Sequence, residues 1–191
     1  MKDSITSFDQ LPGGISESLV DALNRLGLVA QNLSYVISTG NVVDVVQNNI
    51  SVNSDGDDQK PLDVFADEAY LAEMTNSSIR LYASEEQSEV LDLGGSGTLA
   101  LAIDPLDGSS NIDTNVSIGS IFSIRTIPAD YKSNPDNAKS VFVSPGSNQL
   151  AAGYVIFGPQ TVIVFSVGKG ILTYILDRAK NIGYKVLILT V

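Results

Sequence analysis

The segment from Asp104 to Asp113 carries the strongest chemical pattern in the chain. It reads Asp-Pro-Leu-Asp-Gly-Ser-Ser-Asn-Ile-Asp and directly follows the apolar run Leu99–Ile103. We expect this run to be a strand that ends at Pro105 and delivers Asp104 to its end, with a turn that returns Asp107 to the same point. Both carboxylates and the carbonyl oxygen of Leu106 could then bind hard divalent cations.

Three small residues follow this acidic turn, namely Gly108, Ser109 and Ser110. Their backbone N–H groups and hydroxyls could cradle a phosphate if a helix begins here. The alternative is an ordinary turn of Ser, Asn and Asp that caps a helix, as most such clusters do. The length of the whole ten-residue string favours the phosphate site.

Two other acidic clusters could belong to the same site. Asp57, Asp58 and Asp63 flank the start of a predicted helix, and Glu85-Glu86 follow Ser84 at the end of a short predicted strand. Taken alone, the first cluster is a loop with a helix-start acid favoured by the helix dipole, and the second is a solvated turn. Each cluster lies at the predicted end of a helix or strand, and that end could face the Asp104 turn.

The composition limits which chemistry is available. The chain has no histidine and no cysteine, so a bound metal must be held by oxygen atoms, which favours Mg²⁺, Mn²⁺ or Ca²⁺. A net charge of −11 argues against nucleic acid as a partner. No apolar run is long enough for a membrane span or a signal peptide, so we expect a soluble cytoplasmic protein that does not bind membranes.

A chain of 191 residues predicts one domain. The spacing of apolar residues from Ile15 to Ile37 predicts a long helix with Ser16 as its N-cap. A second helical piece at Val42–Ile50 and a polar loop at Ser51–Lys60 follow. The remaining predicted elements are a helix at Pro61–Met74 and strands at Ile79–Ala83, Leu99–Ile103, Ser117–Ile127, Tyr154–Phe157, Thr161–Val167, Ile171–Leu176 and Lys185–Val191. This order predicts an α+β fold with helices layered on a mixed or antiparallel sheet.

The string Asp104–Asp113, continued to Phe122, resembles the motif of class I fructose-1,6-bisphosphatase. Four further segments resemble that family in the same order: Gly56-Asp57 with Leu62-Asp63-Val64, Ala83–Glu86, Pro145–Tyr154 and Tyr154–Thr161. The resemblance extends to about Asp177, so residues 1–177 resemble the family's N-terminal metal- and phosphate-binding domain. Residues 178–191 form an unmatched strand segment.

The resemblance implies a set of site residues. The metal ligands would be Glu85, Glu86, Asp104, the Leu106 carbonyl and Asp107, with Mg²⁺ as the cation and Mn²⁺ as a substitute. Asp107, Gly108, Ser109 and Ser110 would bind the substrate phosphate, while Asp57, Asp63 and Glu86 would help to activate water. The implied protein is a homo-oligomeric phosphatase that hydrolyses fructose 1,6-bisphosphate, a small sugar phosphate, to fructose 6-phosphate and phosphate.

The sequence departs from the family in two places. The family's second domain, which grips the sugar, is absent from this chain, so we expect weak activity unless another polypeptide completes it. The alternatives are sedoheptulose-1,7-bisphosphatase or another sugar phosphatase, and a truncated non-catalytic module that binds metal or phosphate. Thr98-Leu99 and Thr126 also stand where the family's AMP-binding residues would be expected, which predicts weak or no inhibition by AMP.

Overall fold

The computed structural model describes residue 8 and residues 11–39, 61–132, 134–176 and 184–189. Within those residues it contains three α-helices, eight strands and two short 3-10 helices. The helices are α1 (Glu17–Thr39), α2 (Pro61–Met74) and α3 (Pro135–Phe142), and the 3-10 helices are Ser109–Thr114 and Gly146–Asn148. The strands are β1 (Ile79–Ser84), β2 (Leu91–Asp92), β3 (Leu99–Asp107), β4 (Ile118–Thr126), β5 (Gln149–Phe157), β6 (Thr161–Ser166), β7 (Ile171–Leu176) and β8 (Tyr184–Leu189).

The first two helices form where local signals predict them. The N–H of Leu19 donates to the Oγ of Ser16 over 3.3 Å, which satisfies a backbone donor in the first turn of α1. One stripe of α1 is buried against the sheet, and α2 begins at Pro61, the helical position that tolerates proline best. The buried stripe of α1 includes Leu19, Leu23, Leu26, Ala30 and Leu33.

The strands form one eight-stranded sheet in the order β2-β1-β3-β4-β5-β6-β7-β8. Every neighbouring pair among these described strands is antiparallel except β1 and β3, which run parallel. The predicted fold class, helices layered on a mixed sheet, is therefore confirmed. The parallel pair matters for the site because both of its strands end at the same edge of the sheet.

The two faces of the sheet are covered differently. Helices α1 and α2 pack on one face, where Leu99, Leu101 and Ile124 join the main core. Side chains alternate along a strand, so Ala100 points to the opposite face and packs with Val141 of α3 in a second, smaller core. Asp104 follows Ala100 and Ala102 in the same alternation, which directs it to the face opposite α1 and α2.

Strand β3 does not end where the sequence predicted. It continues through Pro105 to Asp107, and its pairing with β4 is interrupted between Asp104 and Asp107. Asp104 pairs with Ile121 and Asp107 pairs with Gly119, so Pro105 and Leu106 lie opposite a single residue of β4. This is a β-bulge, which lets a proline interrupt the ladder without ending the strand.

Some expectations concern residues outside the described ranges. The helical piece Val42–Ile50, the loop Ser51–Lys60 and the turn near Asn181 all lie there. The predicted hairpin of Tyr154–Phe157 and Thr161–Val167 is confirmed by the antiparallel pair β5 and β6. In the described part of the chain, no helix has the length and apolar character needed to cross a membrane.

Replacing Gly153 with alanine should destabilise the sheet. Gly153 of β5 lies between Phe122 of β4 and Phe165 of β6. A Cβ at this position would overlap the carbonyl oxygen of Val164 and the side chain of Phe165. We expect Gly153→Ala to lower the free energy of unfolding by about 1–3 kcal/mol, measured by urea denaturation.

Gly146 supplies the control for this substitution, because a Cβ built there meets no atom within 4 Å. Gly146→Ala should therefore change the free energy of unfolding by less than about 0.5 kcal/mol. Equal losses in the two variants would show that the overlap at Gly153 does not limit stability.

Candidate metal and phosphate site

The parallel pairing of β1 and β3 brings Glu85 and Asp104 together. Ser84 of β1 pairs with Ile103 of β3, and the N–H of Glu85 donates to the carbonyl oxygen of Ile103 over 3.1 Å. Glu85 and Asp104 are therefore the next residues along two adjacent strands. Their carboxyl groups lie close enough to interact through a hydrogen bond and through charge. Two acidic residues 19 positions apart in sequence thus form one contact.

The carboxyl pair is electrostatically unfavourable when both groups are ionised. The pKa of Asp104 is raised to about 7, most of all by burial and then by the hydrogen bond to Glu85 and the negative charge of Glu85. Asp107 adds a smaller increase, whereas the N–H of Leu106, which donates to Oδ1 of Asp104 over 3.1 Å, opposes it. Without a cation, a proton on Asp104 relieves the repulsion.

These oxygen atoms suit a hard divalent cation. A cation beside Glu85 and Asp104 would offset the repulsion between the two carboxylates. Among the described residues, however, no group of three or more acidic side chains lies close enough together to hold a metal ion. Asp107 is near enough to influence Asp104 but is exposed, and Asp57 and Asp58 lie outside the described ranges.

The bulge in β3 determines how the backbone passes from Asp104 to Asp107. Ser120 is the one residue of β4 opposite Pro105 and Leu106, and its Oγ donates to the carbonyl oxygen of Pro105 over 2.8 Å. This side chain replaces the ladder hydrogen bond that the irregular pairing interrupts. The Pro105–Leu106 peptide, which precedes the Leu106 carbonyl, is held in this way.

The glycine–serine segment forms a tight turn directly after β3. Gly108 has φ 77°, a left-handed conformation that glycine adopts without steric cost, and its carbonyl accepts from the N–H of Asn111 over 2.8 Å. The helix expected here is a six-residue 3-10 helix, Ser109–Thr114. Ser109 is half-buried and Ser110 is exposed. A cavity of about 310 Å³ borders this turn and is lined by Asp107, Gly108, Asn111 and Tyr154 among others.

A larger cavity of about 770 Å³ begins at the carboxyl pair. Glu85 and Asp104 line one part of it, and the remainder crosses the sheet face opposite α1 and α2, past Ile121, Tyr154 and Ile171. Ile121 and Tyr154 also line the smaller cavity beside Gly108. The two spaces are therefore neighbours, with the acidic pair in one and the glycine turn in the other.

Three predicted catalytic residues have different positions. Glu86 is half-buried, and its N–H donates to the Oγ of Ser84 over 3.2 Å, so it lies in the turn that follows β1. Asp63 is buried in the first turn of α2, with 7% of its surface exposed. Asp57 lies outside the described residues. The structure thus brings Glu85 and Asp104 into contact, with Asp107 near them and Glu86 in the adjoining turn.

Ser120 was not among the residues that the sequence predicted for this site. Ile118, Ser120, Phe122 and Ile124 share the face of β4 that packs toward α1 and α2. A serine in an otherwise apolar buried series must hydrogen-bond to an atom inside the protein. That requirement was visible in the alternation of β4, but the partner, the Pro105 carbonyl, depends on strand pairing.

A helix-backed mixed sheet with paired carboxyl groups at the ends of parallel strands defines an α+β protein with an acidic, oxygen-donor site. The chain matches the family model "Fructose-1-6-bisphosphatase, N-terminal domain" over residues 9–188, and it belongs to that family. A class 1 fructose-1,6-bisphosphatase of Cereibacter sphaeroides is 46% identical over 166 residues, covering 87% of this chain and 48% of the relative. One from Rhodobacter capsulatus is 48% identical over 164 residues, covering 86% of this chain and 47% of the relative.

Solved structures show the same similarity. The structure of Leishmania major fructose-1,6-bisphosphatase in holo form has a TM-score of 0.81 and 26% identity, and the match covers 97% of this chain and 59% of that chain. Its apo form has a TM-score of 0.70 and 27% identity, with 95% and 54% covered. The chain spans about half the length of the curated relatives it matches.

Proposed function

We propose that this chain supplies the metal- and phosphate-binding part of a Mg²⁺-dependent phosphatase that hydrolyses fructose 1,6-bisphosphate to fructose 6-phosphate and phosphate. The contact between Glu85 and Asp104, at the ends of two parallel strands and beside the Gly108 turn, carries the proposal. Membership of the fructose-1,6-bisphosphatase family and the names of the relatives support it.

Each part of the site has a role in the proposal. Glu85, Asp104, Asp107 and the Leu106 carbonyl would hold Mg²⁺, with Mn²⁺ as a substitute, and Glu86 would complete the ligand set from the adjoining turn. The N–H groups and hydroxyls of Ser109 and Ser110 would bind the phosphate that leaves. The left-handed conformation of Gly108 turns the backbone so that these groups follow the acidic pair closely.

The chemistry needs little from the protein beyond charge and position. Divalent cations, when bound, would screen the phosphate charge and lower the pKa of a water molecule. The carboxylates orient those cations, and the Gly108 turn orients the phosphate. Asp57, Asp63 and Glu86 are the proposed groups that would accept a proton from the attacking water. Phosphoryl transfer depends mainly on such positioning and electrostatics, which is consistent with a chain that has no histidine.

Phosphate release should require a divalent cation. The full-length protein should release phosphate from fructose 1,6-bisphosphate with Mg²⁺, and Mn²⁺ should substitute for it. Release should fall to background when EDTA removes the cation. A colorimetric phosphate assay with a metal titration measures this. Release that continues in EDTA would contradict the proposal.

Two alternatives are separated by the same assay. Faster phosphate release from sedoheptulose 1,7-bisphosphate, or from another sugar phosphate, would make that compound the substrate. The proposed metal and phosphate site would stay the same. Saturable Mg²⁺ binding by calorimetry without any phosphate release would favour a non-catalytic module that binds metal or phosphate. The cavity of about 770 Å³ beside the carboxyl pair favours the enzyme, because it leaves space for a substrate next to the proposed cations.

A further inference from the structure

One face of α2 reaches both acidic turns of the candidate site. Asp67 and Tyr70 lie three positions apart on this helix, so their side chains share a face. Only 2% of Asp67 and 1% of Tyr70 is exposed. Neither residue touches the reacting atoms in the proposed function, yet each is joined by hydrogen bonds to one of the turns.

Tyr70 is connected to the bulge that carries Asp104. Its hydroxyl donates to the Oγ of Ser120 over 3.0 Å, and the hydroxyl of Ser120 donates to the carbonyl oxygen of Pro105 over 2.8 Å. All three residues are in the interior, where water does not compete for these bonds. The chain of bonds therefore sets the orientation of the peptide between Asp104 and Leu106.

Asp67 is connected to the turn that carries Glu85 and Glu86. Its Oδ1 accepts from the hydroxyl of Tyr82 over 2.8 Å, and its Oδ2 accepts from Nε2 of Gln87, the residue after Glu86. The backbone N–H of Gln87 also donates to the carbonyl oxygen of Ser84 over 3.3 Å, which closes the turn. Asp67 thus anchors the far end of the Glu85-Glu86 turn to α2.

Both tyrosine hydroxyls remain donors over the whole physiological pH range. Burial raises the pKa of Tyr70 far above its ordinary value. Burial, and then the negative charge of Asp67, do the same to the pKa of Tyr82. The hydrogen bonds from Tyr70 to Ser120 and from Tyr82 to Asp67 are therefore not lost by deprotonation in this range.

We propose that Asp67 and Tyr70 are positioning residues which set the spacing between the Glu85-Glu86 turn and the Asp104 bulge. The inference rests on the proposed metal site. The hydrogen bonds from Tyr70 to the Asp104 bulge and from Asp67 to the Glu85-Glu86 turn both start from one face of α2. This helix therefore fixes the two sets of oxygen ligands relative to each other. Groups that hold metal ligands in place commonly change metal affinity when they are removed, even though they do not touch the ion.

The hydrogen bonds from Tyr70 through Ser120 to Pro105 are tested with Tyr70→Phe and Ser120→Ala. Each variant should weaken Mg²⁺ binding by about tenfold in calorimetry, performed at a temperature where circular dichroism shows the variant folded. The double variant should be no weaker than Ser120→Ala alone, because both changes break one chain of bonds.

Tyr174→Phe is the matched control for Tyr70→Phe. Tyr174 is also completely buried, and it packs against Phe8 and Phe165 in the same core, away from the acidic turns. Removing its hydroxyl should leave Mg²⁺ affinity within about twofold of the wild-type value, whatever happens to the melting temperature. A loss of affinity in this variant equal to that in Tyr70→Phe would overturn the proposal.

The hydrogen bonds of Asp67 to Tyr82 and Gln87 are tested by comparing a conservative substitution with a disruptive one. Asparagine can accept from Tyr82 with its oxygen and donate to the Gln87 side-chain oxygen with its amide, so Asp67→Asn should keep Mg²⁺ affinity within about threefold. Asp67→Leu has neither group and should lose about tenfold in affinity. Equal affinities in these two variants would overturn the role of Asp67.

The outcomes also separate this inference from the proposed function. If the wild-type chain binds Mg²⁺ and Tyr70→Phe lowers only the melting temperature, the hydrogen bonds are merely structural and the positioning role is wrong. If the wild-type chain shows no saturable Mg²⁺ binding, the proposed metal site fails, and the positioning role fails with it. Weaker Mg²⁺ binding in Tyr70→Phe, Ser120→Ala and Asp67→Leu, with nearly unchanged affinity in Tyr174→Phe and Asp67→Asn, supports both.

Discussion

Asp104→Asn should abolish Mg²⁺-dependent phosphate release and weaken Mg²⁺ binding more than about 100-fold, since loss of a ligand exceeds the 10–100-fold effect of its supporting groups. The asparagine carries no charge, so the cation loses one of the two carboxylates that meet at the strand ends. The variant should still fold, because its side-chain oxygen can accept from the N–H of Leu106. It also removes a negative charge from beside Glu85, so the melting temperature of the metal-free protein should not fall.

Asp130→Asn is the control for this variant. Asp130 is an exposed aspartate in the turn after β4, and its replacement changes the net charge by the same amount. Calorimetry should give a Mg²⁺ affinity within about twofold of wild type. Phosphate release that survives Asp104→Asn, with the dependence on Mg²⁺ unchanged, would remove Asp104 from the metal site.

Arg125→Met should lower the free energy of unfolding by about 3 kcal/mol, the cost of leaving buried acceptors without a donor. Arg125 is 7% exposed on β4, and its Nη1 donates to the carbonyl oxygens of Val141 at 3.4 Å and Phe142 at 3.1 Å and to the Oγ of Ser144. These carbonyls end α3, where a cation is favoured by the helix dipole. Methionine keeps the apolar stem and removes only the guanidinium.

Ser144→Ala removes one of these acceptors and leaves the others bonded, so it should cost only about 1 kcal/mol. Both variants are compared with the wild type by urea denaturation at 25 °C. If Arg125→Met is as stable as the wild type, the guanidinium does not hold the end of α3. In neither variant should Mg²⁺ affinity change, because α3 packs near Ala100 and Leu81 rather than at the acidic turns.

Local signals in the sequence were sufficient for several elements. Ser16 and the spacing of apolar residues predicted α1, and Pro61 marked the start of α2 at the residue where the structure has it. The turn Gly158-Pro159-Gln160 predicted the β5–β6 hairpin. In each case the residues that form the element are neighbours in sequence, so their conformational preferences and hydrophobic pattern are enough to define it.

At the site, local geometry followed from the sequence, whereas contacts between distant residues did not. The residue types of Asp104–Ser110 indicated a cation and phosphate site, and the left-handed Gly108 turn follows from that short segment alone. Pro105 was expected to end β3, but the bulge and the side chain of Ser120 let the strand continue to Asp107. Whether a proline ends a strand depends on whether the neighbouring strand can accommodate the irregular pairing and hydrogen-bond the proline carbonyl.

The sequence by itself determined the family, the helices α1 and α2, the absence of histidine and cysteine as metal ligands and the acidic string with its glycine turn. Only the tertiary structure decided that β1 pairs with β3 in parallel, which brings Glu85 into contact with Asp104, and that Asp67 and Tyr70 reach the two turns from α2. The physical reason is that strand pairing and the partners of buried polar groups depend on contacts between distant residues, and these form only when the whole core packs.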